Sequence, residues 1–68
     1  MTLQKKIDSY TAEEIARTFL AQYHSVFGTK TRFEDGIWLV EAKTLSSSGA
    51  SVKKVRIESK TGRIIKVE

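Results

Sequence analysis

The hydrophobic residues of this chain follow a helical period in its first third and a strand period in the rest. Between residues 10 and 28 the apolar positions recur at spacings of three and four, which predicts an amphipathic helix with one apolar stripe. The stripe comprises Ile15, Ala16, Phe19, Leu20, Tyr23 and one of Val26 and Phe27. From residue 29 onward, apolar and polar residues alternate over short runs, which is typical of half-buried strands.

Polar residues predict where the helix begins and ends. Thr11 and Glu14 have the spacing of a capping box, in which each side chain accepts a hydrogen bond from the other residue's backbone N–H. Gly28 is suited to the C-terminal cap, so the helix is predicted over about residues 12–26. Residues 1–9 have only a weak apolar pattern and are predicted to be weakly structured or to form a short element.

The dipeptide Asp35-Gly36 lies between two β-type runs and predicts a hairpin. A type I′ turn needs positive φ at both central residues, which aspartate and glycine tolerate well. The two strands are predicted over about residues 29–34 and 37–44. The turn fixes their register, with Phe33 opposite Trp38, Thr31 opposite Val40 and Thr29 opposite Ala42.

A second turn signal, Ser59–Gly62, lies near the end of the sequence. It suits a type I turn with a left-handed glycine, joining strands at about residues 53–59 and 63–67. The expected register places Ile57 opposite Ile65 and Val55 opposite Val67. The serine-rich run 45–51 predicts a flexible surface loop between the second and third strands.

These elements predict the fold class α+β, with one N-terminal helix packed on one face of a four-stranded antiparallel β-meander. The helix and the sheet each have a single apolar side, so they must bury those sides against each other. Residues 10–68 form a single domain in this prediction. The predicted core consists of Ile15, Phe19, Leu20, Tyr23, Phe33, Trp38, Val40, Val55, Ile57, Ile65 and Val67.

Composition narrows the chemistry that the chain can perform. It has no cysteine and one histidine, His24, which excludes cysteine nucleophiles, thiolate zinc sites and histidine clusters. No Ser-His-Asp arrangement is recognisable, and the neighbouring acidic residues are explained by helix capping and by a turn. We therefore predict no catalytic residue, no metal and no cofactor, and a protein that is not an enzyme.

The hydropathy of the chain bears on its location. No apolar run approaches the ~20 residues of a membrane-spanning helix, and the N-terminus lacks the apolar core of a signal peptide. The prediction is a soluble cytoplasmic protein without membrane insertion, or a cell-envelope or secreted protein if a leader has been removed. The absence of asparagine and cysteine, with many charged residues, fits a thermophilic source.

Three short segments form a recognisable pattern: the helix start Ala12-Glu13-Glu14-Ile15-Ala16, the strand Gly36-Ile37-Trp38-Leu39-Val40 and the hairpin Ile57-Glu58-Ser59-Lys60-Thr61-Gly62-Arg63-Ile64-Ile65. This pattern resembles a PepSY-type domain, and the similarity covers roughly residues 10–68. Glu58 stands where that family usually has aspartate. The resemblance implies a small interaction module with an inhibitory or ligand-binding role, found beside peptidases and in cell-envelope proteins.

The formal net charge of +4 belongs to the predicted sheet. Residues 1–27 are balanced, whereas residues 28–68 carry nine Lys or Arg against five Asp or Glu. Six cations on one sheet face are candidate contacts for a nucleic-acid backbone: Lys30, Arg32, Lys43, Lys54, Arg56 and Lys66. No aromatic residue is predicted on that face to stack with bases, and a solvated face of mixed charge explains the same residues. Nucleic-acid binding is therefore the alternative hypothesis.

Three apolar residues are predicted on the otherwise polar sheet face. These residues, Ile37, Leu39 and Ile64, are candidates for a protein interface because apolar groups among polar ones often mark contact surfaces. The edges at 29–33 and 63–67 could also accept an added strand. The preferred hypothesis is a non-catalytic module that binds a protein or peptide partner, or forms a homodimer, through the sheet face or an edge.

Overall fold

The computed structural model describes residues 6–68 and shows an α+β fold of one helix and a four-stranded antiparallel sheet. Helix α1 spans Ser9–Leu20, and the strands are β1 (Ser25–Glu34), β2 (Ile37–Ser46), β3 (Gly49–Glu58) and β4 (Ile64–Val67). The strands are hydrogen-bonded in sequence order, so the sheet is a meander, and α1 packs over β1 and β2. The predicted fold class is confirmed.

The hairpin of β1 and β2 has the predicted turn and register. Asp35 and Gly36 both have positive φ, 49° and 76°, as a type I′ turn requires. Phe33 lies opposite Trp38, Thr31 opposite Val40 and Thr29 opposite Ala42. The strands are longer than the sequence predicted, because β1 starts at Ser25 and β2 continues to Ser46.

The serine-rich run is part of the sheet, so the predicted flexible loop over residues 45–51 is wrong. Ser46 lies opposite Gly49, which leaves a two-residue turn between β2 and β3. Thr44 is buried, and its hydroxyl donates to the Ser51 carbonyl oxygen at 3.2 Å, which ties the two strands together close to the turn. Gly49 has φ 117°, a conformation that side-chain-bearing residues rarely adopt. Glycine at this position therefore permits the tight connection.

Helix α1 begins and ends earlier than predicted. Asp8 is its N-cap, with Oδ1 accepting a hydrogen bond from the Thr11 backbone N–H at 2.8 Å, so the predicted capping box is wrong. At the other end the helix stops at Leu20, and Gly28 lies in β1 rather than at a cap. Ser25, Val26 and Gly28 pair with Leu45, Thr44 and Lys43 of β2, so this part of the chain joins the sheet instead of the helix.

Small and aliphatic residues form the contact between helix and sheet. The buried cluster consists of Ala12, Ala16, Leu20, Val40, Ala42, Val55 and Ile57. Alanines one turn apart on α1 allow its backbone to lie close to the sheet. Five residues predicted for the core are instead at least 36% exposed: Phe19, Tyr23, Phe33, Ile65 and Val67.

A β-bulge in β1 decides which side chains reach the core. Val26 lies opposite Thr44 and Gly28 lies opposite Lys43, so Phe27 is the extra residue. Val26 packs against the core, whereas Phe27 is 61% exposed. In a regular strand Phe27 would lie opposite Thr44, on the side of the sheet that faces α1.

A second bulge, in β4, reverses the predicted roles of two isoleucines. The register pairs Arg56 with Lys66, Ile57 with Ile64 and Val55 with Val67. The Val55–Val67 pair is confirmed, but Ile65 is the unpaired extra residue and Ile64 takes its place on the core side. The predicted Ile57–Ile65 pair is therefore wrong. Gly62 has φ 78°, as expected for this turn.

Residues 6–8, which precede α1, pass the end of the sheet that contains the Asp35-Gly36 turn. The Ile7 backbone N–H donates to the Ser59 carbonyl oxygen at 2.8 Å, and the Trp38 indole Nε1 donates to the Ile7 carbonyl oxygen at 3.0 Å. These two bonds hold the segment before α1 against the sheet. Residues 1–5 of the predicted N-terminal segment lie outside the described residues.

Candidate binding face of the sheet

We call the sheet face opposite α1 the outer face. Strand alternation and the register assign its side chains, and the unpaired Phe27 belongs to it because it lines one groove with Lys43 and Val52. They are Ser25, Phe27, Lys30, Arg32 and Glu34 of β1, Ile37, Leu39, Glu41, Lys43 and Leu45 of β2, Ala50, Val52, Lys54, Arg56 and Glu58 of β3, and Lys66 of β4. Among residues 6–68 there is no second layer over this face, because the one helix they form packs on the other side.

The structure brings together on the outer face all six cations that the sequence assigned to one sheet face. Two of them are in ion pairs: Arg32 Nε lies 3.3 Å from Glu34 Oε2, and Lys66 Nζ lies 3.1 Å from Glu68 Oε2. No ion pair within the described part of the chain engages the remaining four cations, Lys30, Lys43, Lys54 and Arg56. The carboxylates on the same side are Glu34, Glu41, Glu58 and Glu68, and Glu41 lies opposite Lys30 and Lys54 in the register. Six cations against four carboxylates leave the face with an excess of positive charge.

Glu68 shows which sign of charge this surface favours. Its carboxylate accepts a hydrogen bond from Lys66, and this bond, with the charge of Lys66, lowers the pKa of Glu68 below its usual value. Desolvation acts in the opposite direction, and the charges of Arg56 and Lys54 again lower the pKa. The residue is exposed, so solvent screens these effects. A carboxylate is nevertheless stabilised beside the β3–β4 cations.

An open groove lies beside the cations. Phe27 and Val52 are its apolar lining, and each is more than half exposed, at 61% and 55%. The groove has a volume of about 280 Å³, and its other lining residues are Gly28, Thr29, Lys30, Glu41 and Lys43. An apolar side chain or ring of a ligand could enter it while anionic groups of the same ligand meet Lys30 and Lys43.

Sequence reasoning missed both apolar residues of this groove. Phe27 was, with Val26, one of two alternatives for the last position of the helical stripe, although a glycine follows it within a β-type run and glycine in a strand often marks a bulge. Val52 is out of phase with Val55 and Ile57 in the sequence. The structure shows that Val52 is out of phase because it lies on the outer face, with no break in the β2–β3 register.

The three apolar residues predicted for an interface are largely covered. Leu39 lies on the outer face but is 5% exposed; it stands between Arg32 and Arg56, whose long side chains can lie over it. Ile64 packs against the core because of the bulge in β4, and Ile37 is half-buried. The expected exposure is therefore wrong for Leu39 and Ile64. The exposed apolar residues of the outer face are Phe27, Leu45, Ala50 and Val52.

His24 lies between α1 and β1. Its backbone N–H donates to the Leu20 carbonyl oxygen at 2.9 Å, and its ring Nδ1 is buried without a hydrogen-bond partner among the described residues. Residues 6–68 contain no group of three or more His, Cys, Asp or Glu side chains that could hold a metal ion. In the same part of the chain, no helix has the length and apolarity that crossing a membrane requires.

No protein-family model, no curated protein and no solved structure matches this chain. The resemblance to PepSY-type domains therefore rests on the three short segments alone and stays a prediction. In the structure the segment 36–40 comprises the last turn residue and the start of β2, and the segment 57–65 comprises the turn between β3 and β4 with the adjoining strand ends.

Proposed function

We propose that this protein is a non-catalytic interaction module whose outer face binds an acidic segment of a protein partner. The observation that carries the proposal is the open groove of Phe27 and Val52 beside cations that have no ion-pair partner among residues 6–68. A matching partner presents one apolar side chain for the groove and carboxylates around it. The charges of Lys30 and Lys43 then select for the acidic residues.

The expected energetics of this contact follow from the exposed area. Full burial of a phenylalanine or valine side chain contributes about 1.5–3 kcal/mol. Phe27 and Val52 retain more than half of their exposure, so a covering partner gains about 1 kcal/mol or more from each. The surrounding cations contribute mainly to association rate and specificity, because solvent screens exposed charge pairs.

A synthetic peptide with one leucine flanked by glutamates is the probe for this proposal. Added to the ¹⁵N-labelled protein, it should shift the amide resonances of Phe27, Lys43 and Val52 more than those of α1. Val52→Ser should weaken binding about fivefold, which corresponds to the loss of about 1 kcal/mol of apolar contact. Ile65→Ser is the matched control, because Ile65 is 54% exposed but lies outside the groove.

Two results would contradict the proposal. One is an equal loss of peptide affinity in Val52→Ser and Ile65→Ser, which would show that the groove has no special role. The other is unchanged binding of a peptide in which lysines replace the glutamates. That second result would remove the charge argument, since Lys30 and Lys43 should repel such a peptide.

Single-stranded nucleic acid is the second candidate ligand, and the position of Phe27 favours it. The sequence predicted no aromatic residue on the basic face, but the bulge in β1 places this exposed ring beside Lys30 and Lys43. Stacking of one base on an aromatic side chain contributes about 1–3 kcal/mol, and lysines can contact the adjoining phosphates. The six cations predicted as phosphate contacts remain candidates in this alternative.

A leucine substitution separates the two ligand classes. Phe27→Leu keeps an apolar side chain in the groove but removes the ring, so peptide affinity should change little. Affinity for an oligothymidylate should fall roughly five- to 150-fold if a base stacks on Phe27. Anisotropy titrations at several salt concentrations complete the test, and Lys43→Met should reduce the salt slope by about one. Absence of oligothymidylate binding at low salt would eliminate this candidate.

A further inference from the structure

The β1 strand forms an open edge of the sheet. In a two-residue hairpin the residues that flank the turn form a hydrogen-bonded pair, in this case Glu34 and Ile37. Hydrogen bonding alternates along an antiparallel strand, so the backbones of Arg32 and Lys30 also bond to β2. The N–H and C=O groups of the intervening residues, 29, 31 and 33, therefore point away from the sheet.

We propose that this β1 edge, from Thr29 to Phe33, binds an extended segment of a protein partner as a fifth strand. The added strand carries acidic residues at alternate positions. This inference goes beyond the binding of a ligand on the outer face, because backbone groups at the edge make the contact and the groove of Phe27 and Val52 is not needed. Three outward-pointing residues offer one donor and one acceptor each to such a strand.

The side chains of β1 set the pattern of the incoming strand. Lys30 and Arg32 project on the outer-face side of the edge, and Lys30 has no ion-pair partner among residues 6–68. Carboxylates on that side of the added strand would lie next to these cations. On the other side Phe33 is 49% exposed and contacts the Trp38 ring at a centroid distance of 4.8 Å. That side suits an apolar or β-branched residue.

The same charges oppose pairing of two copies of this chain along the middle of the edge. Two antiparallel β1 strands centred on Thr31 would place Lys30 of one copy opposite Arg32 of the other. Like charges directly opposite each other destabilise a strand pair, and lysines on edge strands discourage self-association. The favoured occupant is therefore a segment of another protein with alternating acidic residues.

The probe is a blocked heptapeptide in which glutamate and valine alternate, and the readout is amide hydrogen exchange. Outward N–H groups of an open edge donate to water, whereas those bonded to β2 are already protected. Binding as a fifth strand should slow exchange at the amides of residues 29, 31 and 33 and leave residues 30 and 32 unchanged. A ligand on the outer face would not produce this two-residue period.

Two variants test the backbone and the charge separately. Thr31→Pro removes one outward N–H without removing a hydrogen bond to β2, and proline is tolerated on such edges, so the variant should fold and lose peptide-induced protection. The double change Lys30→Glu, Arg32→Glu should lower the affinity for the glutamate–valine peptide by at least about fivefold. The same variant should instead bind a peptide in which lysine and valine alternate. Val52→Ser, which alters the groove alone, should bind the glutamate–valine peptide as the unchanged protein does.

The outcomes separate this inference from the proposed function. Protection of alternate amides that survives Val52→Ser but is lost in Thr31→Pro supports the fifth strand. Two results would overturn it. One is that millimolar peptide does not slow exchange at residues 29, 31 and 33. The other is that peptide-induced protection persists in Thr31→Pro although that variant has a native circular dichroism spectrum. Binding that depends on Val52 alone would leave the outer-face proposal intact and refute the edge.

Discussion

The N-terminus of α1 offers a test in which two substitutions have effects of opposite sign. Asp8 caps the helix through a 2.8 Å bond from the Thr11 backbone N–H, and that N–H remains when the Thr11 side chain is changed. Replacing an N-cap by alanine costs about 1 kcal/mol, within a range of about 0.5–2 kcal/mol. Asp8→Ala should therefore lower the melting temperature by about 4–8 °C, the usual shift per kcal/mol for a domain of this size. Thr11→Ala should raise it slightly, because alanine has the higher helix propensity.

Thermal unfolding followed by circular dichroism measures both substitutions under the same conditions. Asp8→Asn is the rescue variant, since asparagine caps about as well as aspartate and should retain most of the stability. If Thr11→Ala cost as much as Asp8→Ala, the helix would begin after Thr11, as the capping-box pattern predicted. That result would refute the N-cap assigned to Asp8.

The two bulges and the β4 terminus lead to three further predictions. Ile64→Ala should destabilise the protein by roughly 1–2 kcal/mol in urea unfolding, while Ile65→Ala should stay within about 0.5 kcal/mol, because only Ile64 packs against the core. Deleting Phe27 should leave a folded protein with native amide resonances for β2, because the residue has no partner in the register. Lys66→Met should raise the pKa of Glu68 in an NMR titration. The lowered pKa means that this interaction stabilises the folded state above the pKa of the unfolded carboxyl and is lost as the pH falls through the folded-state value.

The residues of one turn were sufficient to predict the register of the β1–β2 hairpin. Asp35-Gly36 allows few backbone conformations, and a two-residue turn fixes every pair that follows it, so the register of β1 with β2 could be derived from residue types alone. The six cations of the outer face followed from the same alternation. Their positions on one face are observed, whereas the ligand they bind remains a proposal.

The ends of the elements could not be predicted because tertiary contacts decide them. Residues 22–27 have the spacing of a helical stripe, but Ser25 and Val26 pair with Leu45 and Thr44 of β2 and so join the sheet instead. The serine-rich run looks like a linker by composition. The inward-facing Thr44 just before it and the permissive Gly49 within it make it a hairpin, and both effects depend on position in the chain rather than on overall polarity.

The bulges explain why the chemistry of the outer face was harder to predict than the fold. An extra residue in a strand changes the alternation of everything on one side of it, yet leaves hydrophobic content and strand number unchanged. In β1 the bulge gives Val26 to the core and Phe27 to the basic face, and in β4 it gives Ile64 to the core and Ile65 to solvent. A meander without the β1 bulge would have nearly the same architecture. It would lack the exposed Phe27 ring beside Lys30 and Lys43, which is one of the two apolar residues of the groove on which the proposed binding depends.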